Sequence, residues 1–307
     1  MVNQSITSKE YQEFREFLEA ASGIALGENK QYLVNSRLSC LVTEMGLASI
    51  GELIECVKRD MKPGLRERIV DAMTTNETLW FRDHFPFEIL KSHILPELSG
   101  PRTRPVRIWS AACSSGQEPY SMSMIIQEYL QAKPGSLPCD AQIIATDISP
   151  SVLKDAREGI YDAMAFARGL SDERKKRFFD AQGKTSDIKA RAGDAQGKTG
   201  DITGNAGHIT AKAWQVKPEI RKRITFSEMN LMKKDYLALG KFDVIFCRNA
   251  LIYFSAELKR EILARFSQVL EPGGYLCLGA SESVSGYADF FETVRYQGGL
   301  VYRLKKA

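Results

Sequence analysis

Short apolar segments alternate with helix-like segments from about residue 105 onward, and this alternation limits the fold more than any other feature of the sequence. Four of the apolar segments are predicted to be strands: 106–111, 142–146, 242–247 and 274–278. Strands that are apolar along their whole length belong in a parallel sheet that helices cover on both faces. The pattern therefore predicts an α/β domain, whose ligands bind beyond the carboxyl ends of the strands.

The N-terminal residues, 1 to about 74, have helical periodicity instead. Thr7 and Glu10 form a capping-box pattern ahead of an apolar stripe, and Gly23 is expected to end that helix. A second helix is expected to end at Gly46, and Ser49 suits the start of a third. Such stripes are typical of an ordinary helical core, so we predict a small helical domain in front of the α/β domain.

Charge and cysteine content exclude several classes of protein. The net charge of +4, from 42 basic and 38 acidic residues, is too balanced to indicate nucleic-acid binding. The six cysteines include no Cys-x-x-Cys pair and there are three histidines, so neither a zinc site nor a disulfide framework is predicted. We recognise no signal peptide and no membrane span, and we expect a cytoplasmic protein without a bound metal.

The segment after the first predicted strand, RIWSAACSSGQEPYS at 107–121, indicates which cofactor is bound. A dinucleotide fingerprint needs three glycines around the pyrophosphate, and here only Gly116 is present. Glu118 would repel a pyrophosphate, but its carboxylate can bind the ammonium or sulfonium side of S-adenosylmethionine. Together the two residues favour a methyltransferase.

Asp147 ends the second predicted strand, downstream of the Gly116 loop. A carboxylate at this place can accept both hydrogen bonds of a ribose diol, in NAD, FAD and S-adenosylmethionine alike. The alternative is a helix N-cap, because Asp-Ile-Ser-Pro also suits the start of a helix. The two roles are compatible, so Asp147 indicates an adenosine-type cofactor and no more.

The third and fourth predicted strands are also followed by informative residues. Arg248 and Asn249 come directly after the strand in FDVIFCRNALIYF (242–254), where polar residues belong at the ligand edge of the sheet. In LEPGGYLCLG (270–279) we expect a helix end, a Pro-Gly-Gly turn and then a buried strand. Both segments support the predicted sheet and say little about the substrate.

Taken together, these segments resemble one family, the CheR-type chemoreceptor glutamate methyltransferases of bacterial chemotaxis. The resemblance covers nearly the whole chain and rests on TTNETLWFRDHFPFEIL (74–90), RIWSAACSSGQEPYS (107–121), ATDISPSVLKDAREGIY (145–161), ITFSEMNLM (224–232), FDVIFCRNALIYF (242–254) and LEPGGYLCLGASES (270–283). It implies a class I S-adenosylmethionine-dependent methyltransferase domain, Rossmann-like, at 75–307, with a helical N-terminal domain at 1–74 and an inserted β-subdomain at about 168–223.

The resemblance also implies roles for individual residues. Arg82 and Tyr253 would be catalytic, because they are expected near the reacting carboxylate. Glu118 and Asp147 would hold the amino-acid and ribose parts of the cofactor, and Asn230 with Leu231 would border its adenine. The full cofactor-binding set that the resemblance implies is Asn76, Thr78, Arg82, Glu118, Asp147, Asn230, Leu231, Arg248 and Asn249.

The reaction that the family implies transfers a methyl group from S-adenosylmethionine to glutamate side chains of chemoreceptor cytoplasmic helices, for chemotactic adaptation. It needs no general base, because a glutamate with a reference pKa of about 4.3 is ionised at neutral pH and can attack the methyl group directly. Proximity and orientation would then supply most of the catalysis. The alternative for Arg82 is a surface salt bridge with Asp83 or Glu88, and for Tyr253 it is simple packing.

Two other functions stay open at this stage. One is a methyltransferase that acts on another protein or on a nucleic acid, and the weak net charge disfavours the nucleic acid. The other is a non-catalytic scaffold that binds S-adenosylmethionine, in which Arg82 and Tyr253 would have no use. The expected partners are chemoreceptor cytoplasmic domains, without nucleic acid or membrane insertion, and the expected state is a monomer.

Two parts of the chain depart from the family pattern. In some members the inserted β-subdomain binds the receptor's C-terminal peptide by strand addition. Here it contains the near-duplicates DAQGKTSDIKARAG (180–193) and DAQGKTGDITGNAG (194–207), for which we predict a long loop or an irregular hairpin. The second helix, often basic in the family, carries only Lys30 and Arg37, which either face a partner or are simply solvated.

Overall fold

The computed structural model describes residues 6–59, 61–182 and 213–306. It begins with four helices: α1 (Ser8–Ser22), α2 (Gln31–Glu44), α3 (Ile50–Lys58) and α4 (Leu65–Met73). The first three correspond to the predicted helices. The sequence analysis did not single out α4, because charged residues separate its buried side chains.

Local chemistry fixes the ends of these helices as expected. The Thr7 hydroxyl accepts a hydrogen bond from the Glu10 backbone N–H at 3.3 Å, and the Glu10 carboxylate accepts one from the Thr7 N–H at 2.8 Å. Gly23 ends α1 with φ of +79°, and the Ser49 side chain caps α3. The buried side chains of the four helices form one apolar cluster, which confirms a helical domain.

After these helices, the described residues alternate between helices and strands. The helices are α5 (Phe85–Ile89), a π-helical turn (Leu90–Ile94), α6 (Leu95–Glu97), α7 (Gln117–Ala132), α8 (Pro150–Glu158), α9 (Asp172–Phe178), α10 (Pro218–Arg221) and α11 (Ala256–Val269), with short 3-10 turns at Met164–Phe166, Asp235–Leu239 and Leu251–Tyr253. The strands are β1 (Val106–Ser110), β2 (Ala141–Asp147), β3 (Ile160–Asp162), β4 (Phe179–Gln182), β5 (Ala213–Val216), β6 (Ile224–Glu228), β7 (Phe242–Cys247), β8 (Leu270–Leu278), β9 (Phe291–Tyr296) and β10 (Gly299–Leu304).

Seven of the strands form a central sheet in the order β6-β2-β1-β7-β8-β10-β9. The first five in this order are parallel, and β10 is antiparallel to both of its neighbours. Apolar side chains of α7 pack in a cluster on one face of the sheet and those of α11 in a cluster on the other. The predicted α/β fold, with a mostly parallel and doubly covered sheet, is confirmed.

The Pro-Gly-Gly segment differs from the prediction. We expected a turn between the preceding helix and the strand, but β8 already begins at Leu270. Phe242 pairs with Leu270 and Val244 with Tyr275, so β8 advances five residues while β7 advances two. The extra residues form a bulge inside the strand, where Gly273 has φ of +76°.

A second, small sheet corresponds to the predicted inserted β-subdomain. Its order is β3-β5-β4 with antiparallel pairing throughout, and its first strand lies ahead of the expected boundary near 168. Residues 180–182, the first three of the first repeat, belong to β4. The rest of the two repeats, for which we predicted a loop or hairpin, lies outside the described residues. None of the described helices is both long and apolar enough to cross a membrane.

Candidate functional site

The carboxyl ends of the parallel strands carry the residues that the sequence singled out. β1 lies between β2 and β7, so the chain moves to one side of β1 first and returns on the other side later. Such a reversal opens a crevice at the carboxyl edge of the sheet. The Gly116 loop follows β1, Asp147 ends β2, and Arg248 follows β7, so all three lie at this crevice.

A single cavity occupies the crevice, with about 1130 Å³ of empty space that is partly open to solvent. Both domains contribute to its walls. All ten predicted site residues line it: Asn76, Thr78, Arg82, Glu118, Asp147, Asn230, Leu231, Arg248, Asn249 and Tyr253. The structure thus brings the whole predicted set together, while the role of each member stays a prediction.

Glu118 is a buried carboxylate in the first turn of α7. It accepts hydrogen bonds from the Ser110 hydroxyl at 2.7 Å and from Arg248 at 3.0 Å. Burial raises the pKa of Glu118, and Arg248 and Ser110 offset that rise only in part. The carboxylate therefore keeps capacity for a further cationic or hydrogen-bonding group.

Asp147 is the second buried carboxylate of the cavity. Its two oxygens accept hydrogen bonds from the backbone N–H groups of Ser114 at 2.8 Å and Ser149 at 3.0 Å. Burial raises the pKa of Asp147 despite these bonds. The N-cap residue of α8 is Ser149, whose hydroxyl accepts a hydrogen bond from Val152 N–H at 3.3 Å. Asp147 is therefore not the N-cap residue that we considered as its alternative role.

Arg248 lies almost entirely inside the protein, with a side chain that is 2% exposed. Its guanidinium donates to Glu118 at 3.0 Å, to the backbone oxygen of Arg82 at 2.8 Å and to the Asp83 carboxylate at 2.6 Å. These donors are committed to protein atoms. Arg248 therefore ties the segment around Arg82 to the base of the cavity.

Arg82 and Tyr253 are half-buried in the cavity wall. Arg82 donates to the backbone oxygen of Glu77 at 2.9 Å. Among the described residues it forms no ion pair with Asp83 or Glu88, and Asp83 pairs with Arg248 instead, so the surface salt bridge that we considered for Arg82 is not found. The backbone oxygen of Tyr253 accepts a hydrogen bond from Ala25 N–H at 2.9 Å, which joins the loop to the helical domain.

The linker between α4 and α5 (74–84) and the loop after β6 complete the predicted set. The backbone oxygen of Asn76 accepts a hydrogen bond from the Ser114 hydroxyl at 2.8 Å, which connects the linker to the loop after β1. The Asn230 amide donates to Ala21 O and accepts from Met232 N–H, both at 2.9 Å. These two bonds hold the Asn230 side chain in place, and its amide keeps one N–H and one acceptor position that they do not use.

Strained backbone is concentrated around the cavity. Phe81, Asp83, His84, Ser114 and Asn249 all have φ between +47° and +65°, a region that residues other than glycine rarely adopt. Such strain persists where surrounding contacts enforce it, and it is often found at functional sites. The sequence gives little sign of it, because none of the five is a glycine.

Sequence analysis missed the contribution of the helical domain. Ser22, Ile24, Leu26, Leu33 and Arg37 line the cavity. Arg37, which we placed on a solvated or partner-facing surface, donates to the backbone oxygens of Met73 at 2.6 Å and Thr74 at 2.9 Å. It therefore fixes the start of the linker. Its spacing on α2 is the only signal in the sequence, and that spacing suits solvent equally well.

Within 6–59, 61–182 and 213–306, no group of three or more His, Cys, Asp or Glu side chains is placed to hold a metal ion. What the cavity offers is two buried carboxylates, a half-exposed arginine and a tyrosine, with apolar side chains between them. This combination suits a ligand that has a cation, hydroxyl groups and an apolar part.

Comparison with known proteins gives the same family along the whole chain. Residues 9–74 match the model of the CheR methyltransferase all-alpha domain, and residues 76–194 and 206–299 match that of the CheR methyltransferase SAM binding domain. Chemotaxis protein methyltransferase Cher2 of Pseudomonas putida is 48% identical, over 96% of this chain and 98% of that protein. Chemotaxis protein methyltransferase 1 of Pseudomonas aeruginosa is 49% identical, over 98% and 100%. The corresponding Vibrio parahaemolyticus protein is 48% identical, over 98% of each chain.

Proposed function

The chain belongs to the CheR methyltransferase family and is an S-adenosylmethionine-dependent chemotaxis protein methyltransferase, and we propose how its cavity methylates glutamate side chains of chemoreceptors. The resemblance seen in the sequence and the cofactor that it implied are both confirmed by these matches. The products would be glutamyl methyl esters and S-adenosylhomocysteine. One observation carries the proposal: a single cavity joins two buried, incompletely neutralised carboxylates to Arg82 and Tyr253.

Glu118 and Asp147 are proposed to hold the two polar ends of the cofactor. Each carboxylate has more acceptor positions than the two hydrogen bonds that it receives, so both can bind further donors. Asp147 suits the ribose hydroxyls and Glu118 suits the ammonium group. When bound, S-adenosylmethionine supplies a methyl group on a positively charged sulfur, and the ionised carboxylates favour that positive charge.

The other cofactor-binding residues are proposed to shape the cavity around these two. Asn230 and Leu231 would border the adenine, and the Asn230 amide keeps one N–H and one acceptor position beyond its two bonds to protein atoms. Arg248 would act through Glu118, since its two terminal nitrogens donate to protein atoms. Asn76 and Thr78 line the side of the cavity formed by the linker, and Asn249 lines the opposite loop.

Arg82 and Tyr253 are proposed to orient the substrate glutamate. The guanidinium of Arg82 keeps N–H groups beyond its single bond to Glu77 O, and the Tyr253 hydroxyl can donate another hydrogen bond. Together they would aim one carboxylate oxygen at the methyl group without removing a proton. The rate enhancement would come from this alignment of two reactants that are both already in their reactive charge states.

The small sheet is a candidate site for a receptor's C-terminal peptide. Among the described residues, β3 and β4 are its two edge strands, and an extended peptide can pair with an edge strand by strand addition. Because Arg37 is committed to the linker, the helical domain offers few free cations on α2 for a receptor. We propose that peptide binding supplies part of the receptor affinity, and removal of the receptor tail should then raise KM and leave kcat unchanged.

Two more properties are proposed rather than shown. We propose that the protein works in the cytoplasm, where the cytoplasmic helices of receptors are accessible, and that it works as a monomer. The first follows from the expected substrate, and the second from a cavity whose described walls all come from one chain. Sedimentation equilibrium of the purified protein tests the second property directly, and a stable dimer would contradict it.

The experiment that tests the function is transfer of labelled methyl from S-adenosylmethionine to a panel of chemoreceptor cytoplasmic fragments. Mild alkali then releases the label as volatile methanol if the product is a carboxyl methyl ester. We expect base-labile label on at least one receptor. If S-adenosylhomocysteine binds but no receptor is labelled, the proposal is wrong, and a different methyl acceptor or a scaffold role takes its place.

A further inference from the structure

Glu282 lies beyond β8 in the last matching segment, and it makes an unusual set of contacts at the cavity. Its carboxylate accepts hydrogen bonds from the backbone N–H groups of Asn249 and Gly279, each at 2.8 Å, and of Ile252 at 3.2 Å. We infer that Glu282 is a positioning residue, which holds the loop from Arg248 to Tyr253 in its active shape. The inference rests on the proposed function of the cavity.

The loop needs such support because Asn249 is in an unfavourable state. Its φ of +58° lies in the left-handed region, and its amide oxygen is buried with no hydrogen-bond partner among the described residues. Both conditions cost free energy and persist only where other contacts enforce them. The bond from Asn249 N–H to the ionised carboxylate of Glu282 is the closest such contact, and hydrogen bonds to ions are stronger than neutral ones.

The space around Glu282 is closely fitted. A Cβ atom at position 279 would lie 2.8 Å from the Glu282 carboxylate and 3.0 Å from the backbone N of Asn249. Gly279 therefore lets the end of β8 approach the loop after β7 closely enough for one carboxylate to bind both. Among the described residues no Lys or Arg side chain pairs with Glu282, so its charge serves backbone N–H groups rather than a salt bridge.

Glu282 holds the loop at two points, and each point adjoins a residue of the site. Asn249 follows Arg248, which contacts Glu118 and the backbone of Arg82. Ile252 precedes Tyr253, the proposed substrate tyrosine. Loss of the carboxylate would therefore disturb the cofactor side and the substrate side of the cavity together, whereas a residue that only stabilises the fold would disturb neither in the folded molecules.

The test uses three variants of the full-length protein. Glu282→Ala removes all three hydrogen bonds, and we expect kcat/KM to fall about 100-fold, as for a displacement of about 1 Å at a reactive site. Glu282→Gln keeps one acceptor oxygen but turns an NH2 group toward a backbone N–H, and we expect a loss of about tenfold. The matched control is Glu52→Gln in α3, whose carboxylate accepts a backbone N–H from Ala48 at 2.7 Å outside the cavity.

Two readouts separate positioning from a merely structural role. Calorimetric titration with S-adenosylhomocysteine gives the binding stoichiometry and Kd, and receptor methylation gives kcat per bound site. We expect wild-type stoichiometry, a raised Kd and a lowered kcat for both Glu282 variants, and wild-type values for the control.

The inference is overturned if the folded Glu282 variants bind and methylate like the wild type. If the alanine variant does not fold, the glutamine variant decides by the same readouts. A wild-type protein that binds S-adenosylhomocysteine but methylates no receptor counts against the proposed function instead. In that case the Kd measurements still decide the role of Glu282.

Discussion

Two buried carboxylates at opposite edges of the central sheet have opposite surroundings. Asp243, near the start of β7, accepts hydrogen bonds from Arg102 at 2.8 Å, from Arg104 at 2.9 and 3.0 Å, and from the Arg107 backbone N–H at 2.8 Å. Glu118, at the carboxyl edge, has one arginine partner. The two residues are 3% and 7% exposed, so burial does not distinguish them.

The difference lies in how far each charge is neutralised. Burial tends to raise the pKa of Asp243, but its bonds to Arg104, to Arg107 N–H and to Arg102 outweigh that effect and lower the pKa. For Glu118 burial outweighs Arg248 and the pKa is raised. Asp243 thus stabilises the fold, and the protein itself balances its charge. Glu118, together with Asp147, keeps a negative charge that a ligand can balance.

The largest effect is expected at Asp243, and it is a loss of stability. Asp243→Ala leaves the guanidinium groups of Arg102 and Arg104 partly buried without their shared carboxylate, and we expect a loss of about 3–5 kcal/mol in the free energy of unfolding. Denaturant unfolding measures it. Methyl transfer per folded molecule should stay at the wild-type level. Wild-type stability in this variant would contradict the claim that Asp243, unlike Glu118, has a structural role.

The next largest effect is expected at Arg82, in the cavity at the carboxyl ends of the strands, and it is a loss of methylation rate. Arg82→Ala should lower kcat for receptor methylation by about 10²–10³, because it removes a charged donor from the reacting carboxylate. Stability should change little, since the side chain is half exposed and makes one bond to Glu77 O. Arg157→Ala is the matched control, because Arg157 also donates to a backbone oxygen, that of Phe226, away from the cavity. Equal rates in the two variants would contradict the assignment.

The raised pKa of Glu118 and of Asp147 predicts a pH effect on binding. Affinity for S-adenosylhomocysteine should fall as the pH is lowered, with a midpoint above the ordinary carboxyl values of about 4, because protonation removes the charges that bind the ligand. We expect at least a tenfold (~) rise in Kd across this range. Glu118→Gln should flatten the profile, and a profile identical to the wild type would contradict the role of Glu118.

The contribution of Glu118 and Asp147 to the stability of the unliganded protein should change with pH in the opposite direction to the affinity. A carboxyl whose folded pKa is raised stabilises the fold below its unfolded pKa, and this contribution is lost as the pH rises through the folded pKa. Asp243, whose pKa is lowered, stabilises the fold above its unfolded pKa and loses that contribution as the pH falls through the folded pKa. Unfolding of Glu118→Gln and Asp243→Asn at several pH values should therefore show opposite slopes relative to the wild type.

The smallest effect is expected for the tyrosine. Tyr253→Phe removes one hydroxyl from the cavity wall and should lower kcat/KM about tenfold, the usual scale for a single hydrogen bond in a site. Tyr129→Phe is the control, because its hydroxyl bonds Ser99 at 2.8 Å away from the cavity. A tyrosine that serves only for packing would keep full activity without its hydroxyl.

The sequence predicted the strands and the polar residues that directly follow them well, because both depend on local patterns, whereas cavity members such as Asn76, Thr78 and Tyr253 were implied only by the family resemblance. Apolar runs mark the strands, and polar residues directly after them necessarily meet at one edge of a parallel sheet. Partners that are distant in sequence could not be predicted in the same way. Asp243 looks like an ordinary position in an apolar strand, and the contact of Arg248 with Glu118 spans 130 residues. The bulge at Gly273 likewise depends on pairing with β7.

The most direct test of the account is a calorimetric titration of S-adenosylhomocysteine into the wild type, Glu118→Ala and Asp147→Ala, with Asp243→Asn as the control at the opposite edge. Loss of a charged hydrogen-bonding partner should raise Kd about tenfold to hundredfold in the first two variants. The control should bind with wild-type affinity in its folded fraction. Unchanged affinity in both cavity variants would contradict the claim that these carboxylates hold the cofactor.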